Sequence, residues 1–325
     1  EYKAYVLERL PSIRKAIEQS SYSNACKELL NIQVDLAATG KIAMTDRELK
    51  SAYIAVNKLN REKANEYFSN THIDIPEGYY DILKEFTSIN TLKALYSRQY
   101  ASTIYLISFM PNYRKILKET LGTNQGPLFD YIRFNELYHS IKDFIPLTAD
   151  QEIEIKKLSS PAYTEMLTQT NKETIKKIEL NKRKSGFTIN EAGEVSNEDL
   201  FPSILSKFRG HTLLVDIWAT WCGPCRMANK AIAPMKEELK EKDIIYLYIT
   251  GETSPKGTWE NMISDIHGEH FRVTNEQWNF LMSNLNIEGV PTYFIIDSEG
   301  NITYKKTGFP GVETMKKQLL KTLSK

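Results

Sequence analysis

Two cysteines separated by two residues stand in the run Trp221-Cys222-Gly223-Pro224-Cys225. An apolar stretch, Thr212–Ala219, precedes them, and a helical pattern starts near Arg226. That order puts the thiols where a strand ends and a helix begins. The first turn of a helix leaves N–H groups unpaired and carries the positive end of the peptide dipoles. A thiolate is stabilised there and its pKa falls. The second cysteine follows one helical turn later, close enough to form a disulfide with the first. Two thiols so placed make a reversible two-electron couple.

The remaining chemistry-bearing residues point away from metals. Cys26 is the only other cysteine. It lies in the apolar face Tyr22, Ala25, Cys26, Leu29 and Leu30, and is read as a buried core thiol. Three cysteines are too few for a disulfide-stapled scaffold. Zinc on the Cys222/Cys225 pair would need two further soft ligands. His267 and His270, three apart, are read as part of a polar loop. No metal and no cofactor beyond the cysteine pair is expected.

The elements around the couple alternate between strand and helix. Thr212–Trp218 reads as a buried strand, the cysteine helix runs to about Lys242, and Ile244–Ile249 reads as a second buried strand. Strand, crossover helix and strand form a parallel βαβ unit. Phe187–Ile189 reads as a strand and 197–208 as a helix. Further helices are expected near 256–266 and 274–285, the latter opened by Thr274 and Gln277 as a cap. Thr292–Ile296 and Ile302–Lys306 flank the turn 297–301 as a hairpin, and 312–323 closes the chain as a helix.

Residues 1–180 read differently. Tyr2, Val6, Leu10, Ile13 and Ile17 recur at helical spacing, and Pro11 bends that helix or opens a new one. Thr45 to Glu48 reads as a capping box. It opens a helix with Leu49, Tyr53, Val56 and Leu59 inward, followed by Tyr67 and Phe68. Helices are expected over 77–87, 91–109, 112–121 and 128–144. Thr148 to Gln151 reads as a second box, and Pro161 stands at a first helical position. The fold class is therefore an all-α domain over 1–180, a polar linker over 181–186, and an α/β domain over 187–325. With 325 residues the chain is long enough for two cores, and a net charge of +1 excludes a strong field for nucleic acid. No apolar run reaches the roughly 20 residues of a membrane span. The chain starts at Glu1 rather than Met, so an upstream segment is read as removed.

The run from Leu214 through Asp216, Trp218, Trp221, Cys222, Gly223, Pro224 and Cys225 to Arg226 resembles the active-site sequence of the thioredoxin superfamily. Gly289-Val290-Pro291-Thr292 resembles its cis-proline loop, and Gly308 resembles the glycine bordering its substrate groove. The resemblance covers about 187–325. The insertion from Trp259 to His270-Phe271-Arg272-Val273 looks most like the TlpA/ResA-like extracytoplasmic thiol–disulfide oxidoreductases. An α/β thioredoxin-like fold is implied for this half.

Roles follow from physics and from the resemblance. Cys222, expected exposed at the helix start, is the attacking thiolate, and Cys225 resolves the mixed disulfide. Asp216 lies on the preceding buried strand, where a carboxylate is costly to bury and its pKa is raised. The resemblance implies that it carries the proton of Cys225. Trp221, Gly223, Pro224, Val290, Pro291 and Gly308 are assigned to the substrate groove. The strand 244–249 contains no lysine, whereas thioredoxins proper carry one near the buried Asp.

The Gly-Pro dipeptide is that of thioredoxin, whose couple lies near about −270 mV, so a reductase of protein disulfides is expected. Its partners are disulfide-containing client proteins and an upstream thiol donor, membrane-bound in an oxidising compartment such as the bacterial periplasm. The helical half is assigned to client docking or homodimerisation. The competing reading is a partner-binding module in which the thioredoxin-like half is mainly a scaffold. The intact cysteine pair, Asp216 and Pro291 argue against it.

Overall fold

The computed structural model describes residues 2–71, 74–193 and 195–324. They fall into two compact units, Glu1–Tyr138 with Ala149–Leu167, and His139–Thr148 with Thr168–Lys325.

The first unit is helical. Its helices are α1 (Tyr2–Glu8), α2 (Leu10–Gln19), α3 (Asn24–Ala43), α4 (Thr45–Val56), α5 (Arg61–Asn70), α6 (Tyr100–Ile107), α7 (Tyr113–Leu121), α8 (Pro127–Lys142), α9 (Ala149–Glu154) and α10 (Pro161–Asn181), the ends of α8 and α10 passing into the second unit. Pro11 opens α2 in its first turn. The core gathers around α3, with Leu36, Ile42, Leu83, Ile107, Leu117 and Leu128 fully buried. Tyr79–Glu85, Thr87–Asn90 and Leu92–Tyr96 are 3-10 turns rather than the expected α-helices. Gly78 is left-handed at φ 72 and Thr91 is extended, which cuts the stretch into pieces too short for α-helix.

Three further expectations for this half fail. Thr45 is not an N-cap: it lies inside α4, and its hydroxyl donates to the Ile42 carbonyl at 2.8 Å. Leu49, Tyr53 and Val56 do not face inward; Val56 is 79% exposed. Tyr53 instead stacks on Tyr67 with ring centroids 4.6 Å apart, in a surface group with Phe68. Cys26 is exposed, not buried. It sits in the first turn of α3, where its N–H donates to the Ser23 cap, whereas the buried residues of that helix begin at Ile32.

The boundary between units also differs from the expected linker at 181–186. α10 continues to Asn181, and Lys182–Lys184 turn directly off its last carbonyls. Residues 139–148 and 168–181 belong with the second unit. Thr258 Oγ1 donates to the Asp143 carbonyl at 2.6 Å, and Asn181 Nδ2 donates to the Asn261 carbonyl at 3.1 Å.

The second unit is built on a six-stranded sheet in the order β1-β4-β3-β2-β5-β6. The strands are β1 (Phe187–Asn190), β2 (Thr212–Ile217), β3 (Ile244–Gly251), β4 (Gly268–Val273), β5 (Thr292–Ile296) and β6 (Ile302–Thr307). β1 to β4, β4 to β3 and β3 to β2 are parallel; β5 and β6 run antiparallel. The helices are α11 (Asn197–Ser206), α12 (Gly223–Glu238), α13 (Lys256–Ile263), α14 (Asn275–Asn284) and α15 (Val312–Leu323). Thr274 and Gln277 form the expected capping box.

Side-chain alternation along the strands sorts the core into two layers. Leu213, Val215 and Ile217 point to α11 and α14, where Leu200, Ile204 and Leu281 meet them. Leu214, Tyr293 and Ile295 point to α12 and α15, against Ile232, Met235 and Leu319. Period two places Asp216 on the same face as Leu214, beneath the cysteine helix. β4 was not foreseen as a strand, because its glycine, glutamate, histidine and arginine dilute the apolar pattern.

Candidate functional site

Cys222 is the N-cap of α12, and its sulfur accepts a hydrogen bond from the Cys225 N–H at 3.1 Å. Gly223 and Pro224 form the first two helical positions, where proline's missing N–H removes no helical bond. The two sulfurs are joined in a disulfide, with the Cα atoms 5.3 Å apart. The loop beneath them is tied down. The Thr220 N–H donates to Ser254 Oγ at 3.0 Å, and Ser254 Oγ shares a hydrogen bond with Thr250 Oγ1 at 2.7 Å.

Cys222 was expected to be exposed, but in the disulfide form it is 4% exposed and Cys225 is 0%. Trp218, Ala219, Trp259 and Ile263 pack around both cysteines, with Val290 against the same cluster. The expected ranking survives, since Cys222 is the outer of the two. Trp221 is 62% exposed beside it, and its Nε1 donates to Thr253 Oγ1 at 3.2 Å.

The second side of the site is the loop before β5. The Val290–Pro291 peptide is cis. The Pro291 carbonyl accepts from the Gly308 N–H at 2.8 Å, so the two groove residues are brought together by β5 and β6. Gly308 has φ 81, a conformation that favours glycine. Among the described residues, no backbone hydrogen bond is formed by Val290.

Asp216 is buried at 2% exposure, and neither carboxylate oxygen has a hydrogen-bond partner among the described residues. Tyr248 and Tyr293 are its neighbours in register on β3 and β5. Burial pushes its pKa well above the usual carboxylate value, and the nearby charge of Lys236 acts against that rise. Lys236 is the residue that the sequence reading missed. The lysine absent from β3 is supplied by α12. Its Nζ donates to the Tyr248 hydroxyl at 3.1 Å and to the His267 carbonyl. It also lies over the rings of Tyr246 and Tyr248, at 4.6 Å and 5.1 Å from their centroids. Burial lowers its pKa to about 8, while Asp216 acts to raise it. Helical spacing was the available signal: Lys236 follows Cys225 by three turns, on the side of α12 that includes Ile232.

His267 lies exposed in the loop before β4, as expected, but His270 does not. His270 is fully buried on β4 and stacks on Tyr248 with centroids 4.8 Å apart. Its Nε2 lies 2.7 Å from the Ile266 carbonyl. Burial, with a smaller effect of Lys236, lowers its pKa to about 4. Among the described residues, no group of three His, Cys, Asp or Glu side chains is placed to hold a metal ion.

Comparison with known proteins places this half of the chain. Residues 184–322 match the Redoxin family. The chain is 29% identical over 100 residues to the thiol:disulfide interchange protein DsbE of Pseudomonas fluorescens biotype C, covering 31% of this chain and 53% of that protein. It is 26% identical over 116 residues to the thiol-disulfide oxidoreductase ResA of Geobacillus kaustophilus, covering 35% and 65%. The chain spans little more than half the length of the first of these curated relatives. Among solved structures it is similar to StoA from Bacillus subtilis, with 20% identity, a TM-score of 0.29, and coverage of 34% of this chain and 83% of that one.

Proposed function

We propose that the protein is a thiol–disulfide oxidoreductase that reduces protein disulfides, its residues 184–322 matching the Redoxin family and resembling the ResA-like oxidoreductases. The observation that carries the reading is the Cys222–Cys225 disulfide at the N-terminus of α12, with the Cys225 N–H aimed at the Cys222 sulfur.

In the reduced protein the Cys222 thiolate attacks one sulfur of a client disulfide. A Cys222–client bond forms, the client S–S bond breaks, and the released client thiolate takes up a proton. Cys225 then passes its proton to Asp216, and its thiolate attacks the Cys222 sulfur. The Cys222–Cys225 disulfide forms and the second client thiol leaves with a proton. Two electrons have moved from the protein to the client. An upstream dithiol restores the reduced form by the reverse exchange. Trp221, Gly223, Pro224, Val290, Pro291 and Gly308 make the groove, in which the unpaired backbone of Val290 binds an extended client segment.

The relatives named as interchange proteins and as ResA support an extracytoplasmic setting, where the donor is a membrane thiol carrier. No helix among the described residues is long and apolar enough to cross a membrane. The helical unit is assigned to client docking or homodimerisation. The test is reduction of insulin by the full chain with dithiothreitol as donor, followed by trapping with Cys225→Ser and mass spectrometry. Turnover that depends on Cys222, with clients captured on it, supports the reading. A chain that neither reduces insulin nor captures a protein would sink it.

A further inference from the structure

We propose that Lys236 is a positioning residue for Asp216: its ammonium, brought in by the helix that carries the thiols, keeps the buried carboxyl able to ionise. The inference rests on the oxidoreductase reading for its purpose, but not for its test.

The geometry links the two side chains through β3. Tyr248 is the register partner of Asp216, so both side chains emerge on the α12 face of the sheet. The hydroxyl of the same tyrosine accepts from Lys236 Nζ at 3.1 Å. The His267 carbonyl takes a second Nζ hydrogen bond, and the rings of Tyr246 and Tyr248 flank the cation. These contacts hold a flexible side chain in one place. They matter because Asp216 has no hydrogen bond of its own. A buried carboxyl without hydrogen bonds or a countercharge stays protonated. A carboxyl that is always protonated cannot accept the Cys225 proton.

The other groups facing this space do not supply the charge. Tyr248 and Tyr293 are phenols whose pKa values burial raises. Tyr246 is likewise pushed up, to about 12. His270, packed on Tyr248 from β4, is held neutral by burial. The α15 residues in this layer, Met315 and Leu319, are apolar. Cys225 is in the disulfide. Lys236 also lines an open cleft of ≈ 380 Å³ with Asn229, Tyr246 and His267. Its charge acts on the buried carboxyl against the rise that burial causes.

The test uses the oxidised full chain labelled with 13C at aspartate carboxyls, and Asp216→Asn to identify the Asp216 signal. The NMR titration midpoint of Asp216 is compared in wild type, Lys236→Met, Lys236→Arg and Tyr248→Phe. We expect the midpoint to rise by at least about one unit in Lys236→Met. It returns toward wild type in Lys236→Arg, and rises less in Tyr248→Phe, which frees the ammonium without removing it. An unmoved midpoint in Lys236→Met, or Lys236→Arg behaving as Lys236→Met does, overturns the proposal. If Lys236→Met fails to fold, the Tyr248→Phe midpoint decides: a rise supports the proposal and no change overturns it. None of these readouts needs turnover. A second arm reacts the reduced protein with Ellman's reagent and follows release of the second thionitrobenzoate, which reports attack by Cys225. We expect it about tenfold slower near pH 7 in Lys236→Met. A moved midpoint with an unaltered second release would support the Lys236–Asp216 link and count against Asp216 as the proton acceptor.

Discussion

The Cys222 sulfur caps the helix that Cys225 belongs to: it accepts the Cys225 N–H at 3.1 Å. A group that accepts an N–H bond is favoured in its anionic form. Reduced Cys222 should therefore ionise at lower pH than an ordinary thiol. Alkylation with iodoacetamide across pH 5–9 checks this, with free cysteine as the reference thiol. Cys222 should react at lower pH than the reference. Cys222→Ser should abolish insulin reduction, and the accessible Cys26 should not restore it. Substantial residual turnover in that variant would mean another nucleophile.

Asp216→Asn should make the protein both slower and more stable. The native carboxyl has a raised pKa because it is buried. From about pH 4 upward the unfolded chain has released this proton while the native state still holds it. Stability from this group is therefore full below about pH 4 and declines as pH rises toward the native pKa. Asparagine removes that decline. Urea titrations should show no gain at pH 3.5 and a gain that grows toward pH 7. Resolution of the mixed disulfide should slow toward the low end of the 10²–10⁴-fold typical of acid–base groups. Lower stability at pH 7 would show that the carboxylate is paired.

His270 should make the fold sensitive to mild acid. Its pKa is lowered to about 4, so the unfolded chain binds a proton below about pH 6.5 that the native state refuses. Its contribution is complete above about pH 6.5 and is lost as pH falls toward about 4. At about 1.4 kcal/mol per unit, the loss is on the order of 3 kcal/mol. His270→Gln should flatten the pH dependence of the urea midpoint between pH 4 and 6.5. A profile unchanged by that substitution would place the acid sensitivity elsewhere.

Gly308→Ala should cost about 1–2 kcal/mol through the backbone alone. The residue has φ 81, yet a Cβ built there meets nothing within 4 Å. Steric crowding is therefore excluded as a cause. Chemical denaturation measures the loss, and equal loss in Gly308→Ala and Gly308→Val separates backbone strain from side-chain clash.

The α/β half was legible because its signals are local. Val215 and Ile217 alternate with Leu214 and Asp216, Pro224 starts a helix, and Thr274 and Gln277 cap one. Lys236 was not read as a site residue, because its meaning depends on Tyr248, which reaches it only through the sheet. β4 was missed for a related reason: parallel pairing with β1 and β3 forms that strand despite Gly268 and Arg272. In the helical half, periodicity identified helices but not which faces meet a partner. Tyr53 and Val56 have the spacing of core residues and lie on the surface. Cys26 fails in the same way.

Because residues 139–148 and 168–325 share one unit while 149–167 belong to the other, the chain visits its second unit twice. No single cut separates the two. A protein expressed from residue 185 onward would lack Asp143 and Asn181, leaving Thr258 and Asn261 on α13 without the acceptor and donor they meet in the whole chain. Synthesis imposes an order as well. The turn around Asp143 leaves the ribosome before Thr258 exists, so it must remain undocked until more than a hundred further residues have followed it. Completion of the second unit is thereby delayed until the first unit's last segment has already been made.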